Sequence, residues 1–414
     1  MSMGIHKAEI MRDARLSDIG DGPPRLESTE EALAAVRALL PRFAEFARDT
    51  DQNRRVPAES IRALENAGLF GILTPRAFGG SALGWRAFFS VVSEIGSVCG
   101  STAWVYGVMT GHNHMLTRFP VHVQERILGT PGSHISVVFR LSEPWKATPA
   151  KDGYVLTGGQ GRFCSGVDYA KYVGVNAVID SGPNAGQLAF CMIDKDRLEL
   201  LDDWHTLGMR GTQSRSIVID NVFVSDEMTA LAVDLGGPAV GPAAEEGPVF
   251  SWPYFAIAPY AIVGAPLGVA RGALTTALTG VKKRIAGWDD ELLATMAALY
   301  SRLSHSDQDI ASAHSLILDD LKTVDTVEFA AVDPLVLARF RRDLAAAPQL
   351  ARYATIRLFE GSGGSAIYQN GTLERMLRDV NAGAAHYAFT DDIAASNYGR
   401  ALLGLPPAKS NNFV

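Results

Sequence analysis

Two histidines, a serine and an arginine–aspartate pair are the residues of this chain best placed by type and spacing to do chemistry. His386 closes the stretch Arg375-Met-Leu-Arg-Asp-Val-Asn-Ala-Gly-Ala-Ala-His. Leu373, Met376, Leu377 and Val380 recur at helical spacing and no proline interrupts them, so the stretch predicts a helix. Arg375 and Asp379 stand four apart and can pair on one face. Asp379 and His386 stand seven apart, almost two turns, and are expected to share that face. Ala382, Gly383, Ala384 and Ala385 between them form a small-residue surface that a flat ligand or another backbone can approach. A histidine over such a surface can serve proton chemistry. The plain alternative is a helix packed on its neighbour with a surface histidine. His112, in Gly107-Val-Met-Thr-Gly-His-Asn-His114, is either a binding group or a core histidine. Ser165, in Arg162-Phe-Cys-Ser-Gly166, is either a hydroxyl facing a ligand or part of a strand-end turn.

Composition sets bounds on that chemistry. At 414 residues, two or three domains are expected. Hydrophobic residues make up 47% and charged residues 20%, as in ordinary globular proteins. A net charge of −7 argues against a general nucleic-acid binder. The reading finds no long uncharged apolar run and so expects no membrane span, and Met1 to Arg25 lacks the apolar core of a secretory signal. Cys99, Cys164 and Cys191 are scattered and odd in number, which suits a reducing cytoplasm and neither a disulfide framework nor a metal spacing.

The elements that must position these residues fall into three blocks. Glu27 to about Ser133 is helical: Ser28 is an N-cap, Pro57 to Gly68 is a second helix, and Leu83–Cys99 and Ser101–Leu116 are two more. From His134 to about Thr229 the period is two, with six to eight short strands, among them Ile135–Phe139, Tyr172–Ile179 and Ser216–Val224. Gly236 to Pro248 reads as a linker or mobile loop. Helices return afterwards, including Ser304–Lys322 and Pro334–Ala345. The expected division is a disordered tail at 1–26, an N-terminal helical domain at 27–133, a β-domain at 134–232, a linker at 233–249 and a C-terminal four-helix bundle at 250–414. Gly361-Ser-Gly-Gly-Ser-Ala366 fits G-x-G-x-x-A but follows a helical pattern, so it is not a dinucleotide fingerprint. No Walker lysine or Gly-x-Ser-x-Gly elbow occurs, which removes support for phosphoryl transfer and serine hydrolysis.

Glu374-Arg375-x-x-Arg378-Asp379, Leu207-Gly-Met-Arg-Gly-Thr212 and Asn221-Val-Phe-Val224 together resemble the acyl-CoA dehydrogenase superfamily, over about residues 30–408. The resemblance implies an α+β fold with an N-terminal helical domain, a middle β-barrel domain and a C-terminal helical bundle. Many dehydrogenases carry a catalytic glutamate shortly after the Arg-Asp pair; here Ala384 to Phe389 has none, and His386 stands near that place. Arg-Asp followed by such a histidine resembles the flavin-dependent monooxygenase branch, the oxygenase components of two-component systems such as 4-hydroxyphenylacetate 3-hydroxylases and steroid-phenol hydroxylases. That branch implies reduced flavin (FMNH2 or FADH2) from a separate reductase, O2, a C4a-hydroperoxide and hydroxylation of a phenolic or polycyclic aromatic substrate.

The resemblance also implies roles. Ser165 would lie near flavin N5 and C4a beside Phe163 and Gly166, Arg284 would reach the flavin phosphates, and Arg378 and Asp379 would support the cofactor. His112, seven residues before Phe119-Pro120, would hold the phenolic oxygen, and His386 would complete the polar side of the pocket. Tyr106, Trp145 and Phe163 are candidate aromatic walls. A homotetramer through the C-terminal helices is implied too, and the small-residue helix near Val263 would suit it. Amine N-hydroxylation would use the same flavin chemistry. An acyl-CoA dehydrogenase or oxidase would need a carboxylate base, and Glu360 stands on the wrong side of the Arg-Asp motif. A non-catalytic assembly subunit is the third reading.

Overall fold

The computed structural model describes residues 22–140 and 142–408, so most of the expected tail lies outside the described residues. Among the described residues five helices come first: α1 (Thr29–Gln52), α2 (Ala58–Asn66), α3 (Trp85–Gly96), α4 (Gly100–Leu116) and α5 (Val121–Leu128). Ser28 caps α1, its Oγ accepting from Glu31 N at 3.1 Å. Buried Val36, Phe43 and Ala47 form the inward stripe of that helix.

Ten strands follow among the described residues: β1 (Ile135–Val138), β2 (Trp145–Ala150), β3 (Gly153–Thr157), β4 (Gly159–Cys164), β5 (Tyr172–Ile179), β6 (Leu188–Asp194), β7 (Glu199–Leu201), β8 (Arg215–Ile219), β9 (Val222–Ser225) and β10 (Thr229–Leu231). The larger sheet runs β10-β6-β5-β2-β3-β9, with β1 also paired to β5; the smaller runs β4-β8-β7. Six to eight strands were expected. Two of the ten, β7 and β10, are three residues long, too short for alternation to show. Ser216–Val224 was read as one strand. It is two, because Asn221 turns left-handed at φ +52° and carries the chain from the small sheet to the large one.

The last block holds α6 (Tyr260–Arg284), α7 (Ala297–Thr326), α8 (Pro334–Gly361), α9 (Thr372–Ala384) and α10 (Asp391–Leu402). The centre is α6, which packs on α3, α4, α8 and α9. Within Tyr254–Arg284 lies an apolar stretch that the sequence reading did not mark, long enough to cross a membrane by length and composition alone. Most of it is buried among the other helices, where an all-round apolar helix belongs. Its small residues are used inside the chain, Gly264 and Gly268 facing α3, so that face is not free for a second copy. α8 continues through Pro348, well past the expected end at Ala345, because Ala347, Pro348 and Ala351 are buried against its neighbours. The Gly236–Pro248 stretch is docked rather than loose: Val240 N donates to Thr117 O, Ala239 N donates to Phe250 O, and Arg118 donates to the carbonyls of Phe250 and Trp252.

Candidate active site

α4 supplies the spine of the site. All of its residues but Val108 and Asn113 are buried, the polar Thr110, His112 and His114 among them. Trp104 and His112 lie eight apart, two turns along one face, with Val105 and Met109 between them. Gly166 packs against Val105 and Met109: a Cβ there would stand 3.2 Å from Val105 and 3.1 Å from Met109, and its φ of +73° suits glycine. This close approach brings the end of β4 onto α4.

At that end the backbone is irregular. The β4–β8 register shifts between Gly161 and Cys164, and Phe163 takes φ +75°, an uncommon conformation for an aromatic residue. Its ring is 65% exposed and meets Trp204 edge-on. Immediately after it, Ser165 points inward. Trp104 Nε1 donates to Ser165 Oγ at 3.2 Å, and Ser165 Oγ lies 2.6 Å from Ser214 Oγ. Ser214 Oγ lies 2.8 Å from Thr212 Oγ1, which donates to Met209 O at 2.9 Å. Ser136 of β1 holds the Ser165 carbonyl at 2.9 Å.

His386 meets the same tryptophan, with ring centroids 5.6 Å apart. The expected shared helix face with Asp379 does not form. α9 ends at Ala384, and His386 is extended, its Nδ1 accepting from Ala388 N at 3.3 Å. The side chain thus caps the next turn instead of continuing the helix. Burial pushes the His386 pKa down to about 4, so the ring is neutral at pH 7 and its proton sits on Nε2. His112 is buried and held near 4 as well, by burial, against an opposing hydrogen bond to the backbone of Ile135. Its Nδ1 is buried without a partner among the described residues.

The Arg-Asp motif acts as a brace. Asp379 Oδ1 accepts from Met209 N at 2.7 Å, and Arg375 Nη1 lies 3.8 Å from its other oxygen. Arg378 grips Asp51 of α1 through Nη1 at 3.0 Å and Nη2 at 2.8 Å, Glu374 through Nε at 2.6 Å, and Leu207 O at 3.1 Å. Gly208 lies so flat on α9 that a Cβ would stand 2.1 Å from Arg378 O. The motif therefore clamps the 207–212 segment, and with it Thr212 and Ser214, under Ser165. Arg284 is exposed at the end of α6 with no ion pair among the described residues. Tyr106 is buried against Phe70 and Phe88 and donates to Leu69 O at 2.9 Å. Trp145 is buried in the β-domain core and donates to Gly159 O at 2.9 Å. The structure brings Ser165 and His386 together around Trp104 and sets His112 farther along α4. It does not bring Tyr106 or Trp145 to them. The sequence reading assigned no role to Trp104, Ser214 or Thr212. The sequence itself shows only a polar run, Thr212-Gln-Ser214, just ahead of a strand.

An unpartnered imidazole nitrogen, a serine with an open lone pair and an exposed aromatic in a left-handed turn are features a flat ligand with a polar edge would satisfy. Residues 27–126 match the acyl-CoA dehydrogenase N-terminal domain, and residues 260–391 match a C-terminal domain of that family. The chain belongs to the acyl-CoA dehydrogenase superfamily. It is 30% identical to the flavin-dependent monooxygenase oxygenase subunit HsaA of Mycobacterium tuberculosis, over 91% of this chain and 96% of that one. It is 26% identical to the FADH2-dependent resorcinol hydroxylase oxygenase component of a Rhizobium strain, over 93% and 97%. The crystal structure of 3-HSA hydroxylase from Rhodococcus sp. RHA1 superimposes with a TM-score of 0.84 at 27% identity, over 92% and 98%. Within the superfamily, the chain falls in the branch of two-component monooxygenases.

Proposed function

We propose that this chain is the oxygenase component of a two-component monooxygenase that uses reduced flavin and O2 to hydroxylate an aromatic, phenolic substrate. The observation that carries the reading is the cluster of Trp104, Ser165 and neutral His386, with His112 two turns along α4 presenting an unpartnered nitrogen. Bound reduced flavin supplies the electrons that activate O2. The chain does the rest. Ser165, Phe163 and Gly166 would hold the flavin ring edge. His112 Nδ1 would accept the phenolic O–H and raise the electron density of the ring. His386 Nε2–H would donate at the opposite side. The burial of α4 keeps water out, which protects a reactive oxidant from wasteful decay.

A separate reductase is the natural partner, since the chain carries no nicotinamide fingerprint. A homotetramer is supported by exposed Tyr353, Ile367, Tyr368, Leu402 and Leu403 in the C-terminal block, a concentration of apolar surface that a second copy would cover. Three buried free thiols, Cys99, Cys164 and Cys191, fit a cytoplasmic setting. The dehydrogenase reading gains nothing from the geometry. Glu360 lies at the exposed end of α8, paired with Arg302 at 3.2 Å.

The test is single-turnover oxidation of the FMNH2- or FADH2-loaded protein by 18O2 with a panel of phenols. Hydroxylated product carrying one 18O supports the reading. Reduction of bound FAD by an acyl-CoA, with no labelled product, overturns it.

A further inference from the structure

The hydroxyl chain beneath Ser165 has a direction. Trp104 Nε1 can only donate, and a carbonyl oxygen such as Met209 O can only accept. Between them stand three hydroxyls, Ser165, Ser214 and Thr212, each with one proton. The four links measure 3.2, 2.6, 2.8 and 2.9 Å from Trp104 to Met209. One orientation makes all four: Trp104 to Ser165, Ser165 to Ser214, Ser214 to Thr212, Thr212 to Met209. The reverse order loses the Thr212–Met209 link and leaves the Ser165 proton without an acceptor in the chain. Ser165, Ser214 and Thr212 are all buried, so water does not compete for these groups.

Two further contacts hold the relay in register. Gly166 N donates to Thr212 O at 3.2 Å, and Cys164 pairs with Arg215 across the β4–β8 ladder. The clamp on Met209 N by Asp379 fixes the far end.

We propose that Ser214 and Thr212 are positioning residues that commit the Ser165 proton inward, leaving its oxygen as an acceptor facing the pocket. The inference rests on the flavin reading above and deepens it. The reduced ring carries an N–H at N5, whereas the oxidised ring carries a lone pair there. An acceptor at Ser165 favours the first and repels the second, so the relay makes the site select the reduced cofactor. Breaking it two links away frees the Ser165 proton to turn outward, and selection weakens.

The test is the dissociation constant of oxidised FMN and of anaerobically reduced FMN for the wild type, Thr212→Val and Thr212→Ser, repeated with FAD. Valine keeps the shape and removes the hydroxyl; serine keeps the hydroxyl. The wild type is expected to favour reduced flavin. Thr212→Val is expected to lose about tenfold of that preference, the size of one hydrogen bond, while Thr212→Ser retains it. An unchanged ratio in Thr212→Val overturns the relay, and so does equal damage from both substitutions, because shape alone would then explain the effect. Failure of the wild type to bind either redox form overturns the flavin reading itself, and the relay with it. A structural role alone would weaken both affinities together and leave their ratio intact.

Discussion

Two buried polar clusters in this chain share burial and differ in what they leave unsatisfied. Around Ser165 the groups are neutral: an indole, three hydroxyls and imidazoles held near pKa 4. Around Asp320, between α6, α7 and α8, the groups are charged and closed on one another. Tyr260 OH donates to Asp320 Oδ2 at 2.8 Å, and Arg339 donates to Oδ1 at 3.2 Å while also reaching Asp319 and Asp343. Burial pushes Asp320 up to about 7 even so, with the Asp343 charge adding to it. A perturbed pKa in a buried cluster marks both places equally. Both oxygens of Asp320 are used, and Arg339 Nε, though it makes no hydrogen bond, lies 3.8 Å from the Asp343 carboxylate, whereas His112 Nδ1 has neither a hydrogen bond nor an ion pair among the described residues. Perturbation finds buried polarity; unmet hydrogen-bonding capacity points to a ligand.

Substitution tests that separation most sharply. Asp320→Ala leaves Tyr260 and Arg339 without their buried partner and is expected to cost about 3 kcal/mol of stability. Chemical denaturation measures the loss, and reduced-flavin affinity should not move in the folded fraction. His112→Ala should behave the opposite way. Product formation with a phenol is expected to fall about 100-fold in the folded, flavin-bound fraction, beyond what the stability lost on truncating a buried side chain explains. If Asp320→Ala abolished flavin binding at unchanged stability, the division between a closed structural cluster and an open site would be wrong.

Acid sets the two clusters against each other. His112, His386 and His314 are held near 4 by burial. Below about 6.5 the unfolded chain takes up protons that these folded imidazoles refuse, so their contribution to stability is lost as pH falls from about 6.5 toward 4. Asp320 and Asp325 are raised to about 7 and about 6. They hold protons that the unfolded chain releases, so their contribution grows as pH falls through the same window. The net acid loss should be shallow in the wild type. Asp320→Asn removes one opposing effect and should steepen the loss between pH 7.5 and pH 5 by about 2 kcal/mol. A variant as shallow as the wild type would mean Asp320 ionises normally in the fold.

The sequence reading reached the helix–strand–helix order because both hydrophobic periods are strong and Gly–Pro punctuation separates them. It singled out Ser165, His112 and His386 through the resemblance of short local motifs to a family pattern. What it missed depends on contacts between distant residues. Ser214 meets Ser165 across 49 positions, through strand pairing that no local pattern encodes. The end of α9 was misplaced because Ala384 and Ala385 are good helix formers; the stop comes from His386 capping Ala388. The ten strands exceeded the expected number because three-residue strands carry too little alternation. Asp320 was invisible for a similar reason, since an aspartate within a long helix reads as a solvated face until the facing helix is known.

Asp325 stands between the two kinds of cluster and gives the smallest test. Its carboxylate comes from the last turn of α7 and accepts from Trp85 N at 2.7 Å and Arg86 N at 3.0 Å. It thus serves as the N-cap that α3 lacks in its own sequence, where Gly84 precedes the helix at φ +90°. The positive end of α3 favours a negative charge there, yet burial outweighs the two amide hydrogen bonds and raises Asp325 to about 6. Asp325→Asn keeps one acceptor and turns an amide toward the second N–H, with an expected cost of about 1 kcal/mol at pH 8. The folded carboxyl takes up its proton near 6 and the unfolded chain only near 3.8, so the wild type gains stability in acid that asparagine does not, and the difference should widen by about 1 kcal/mol at pH 5. Denaturation of both proteins at the two pH values measures it. A cost that is the same at both pH values would show that Asp325 ionises in the fold as it does in the unfolded chain, so that burial does not outweigh the two amide hydrogen bonds.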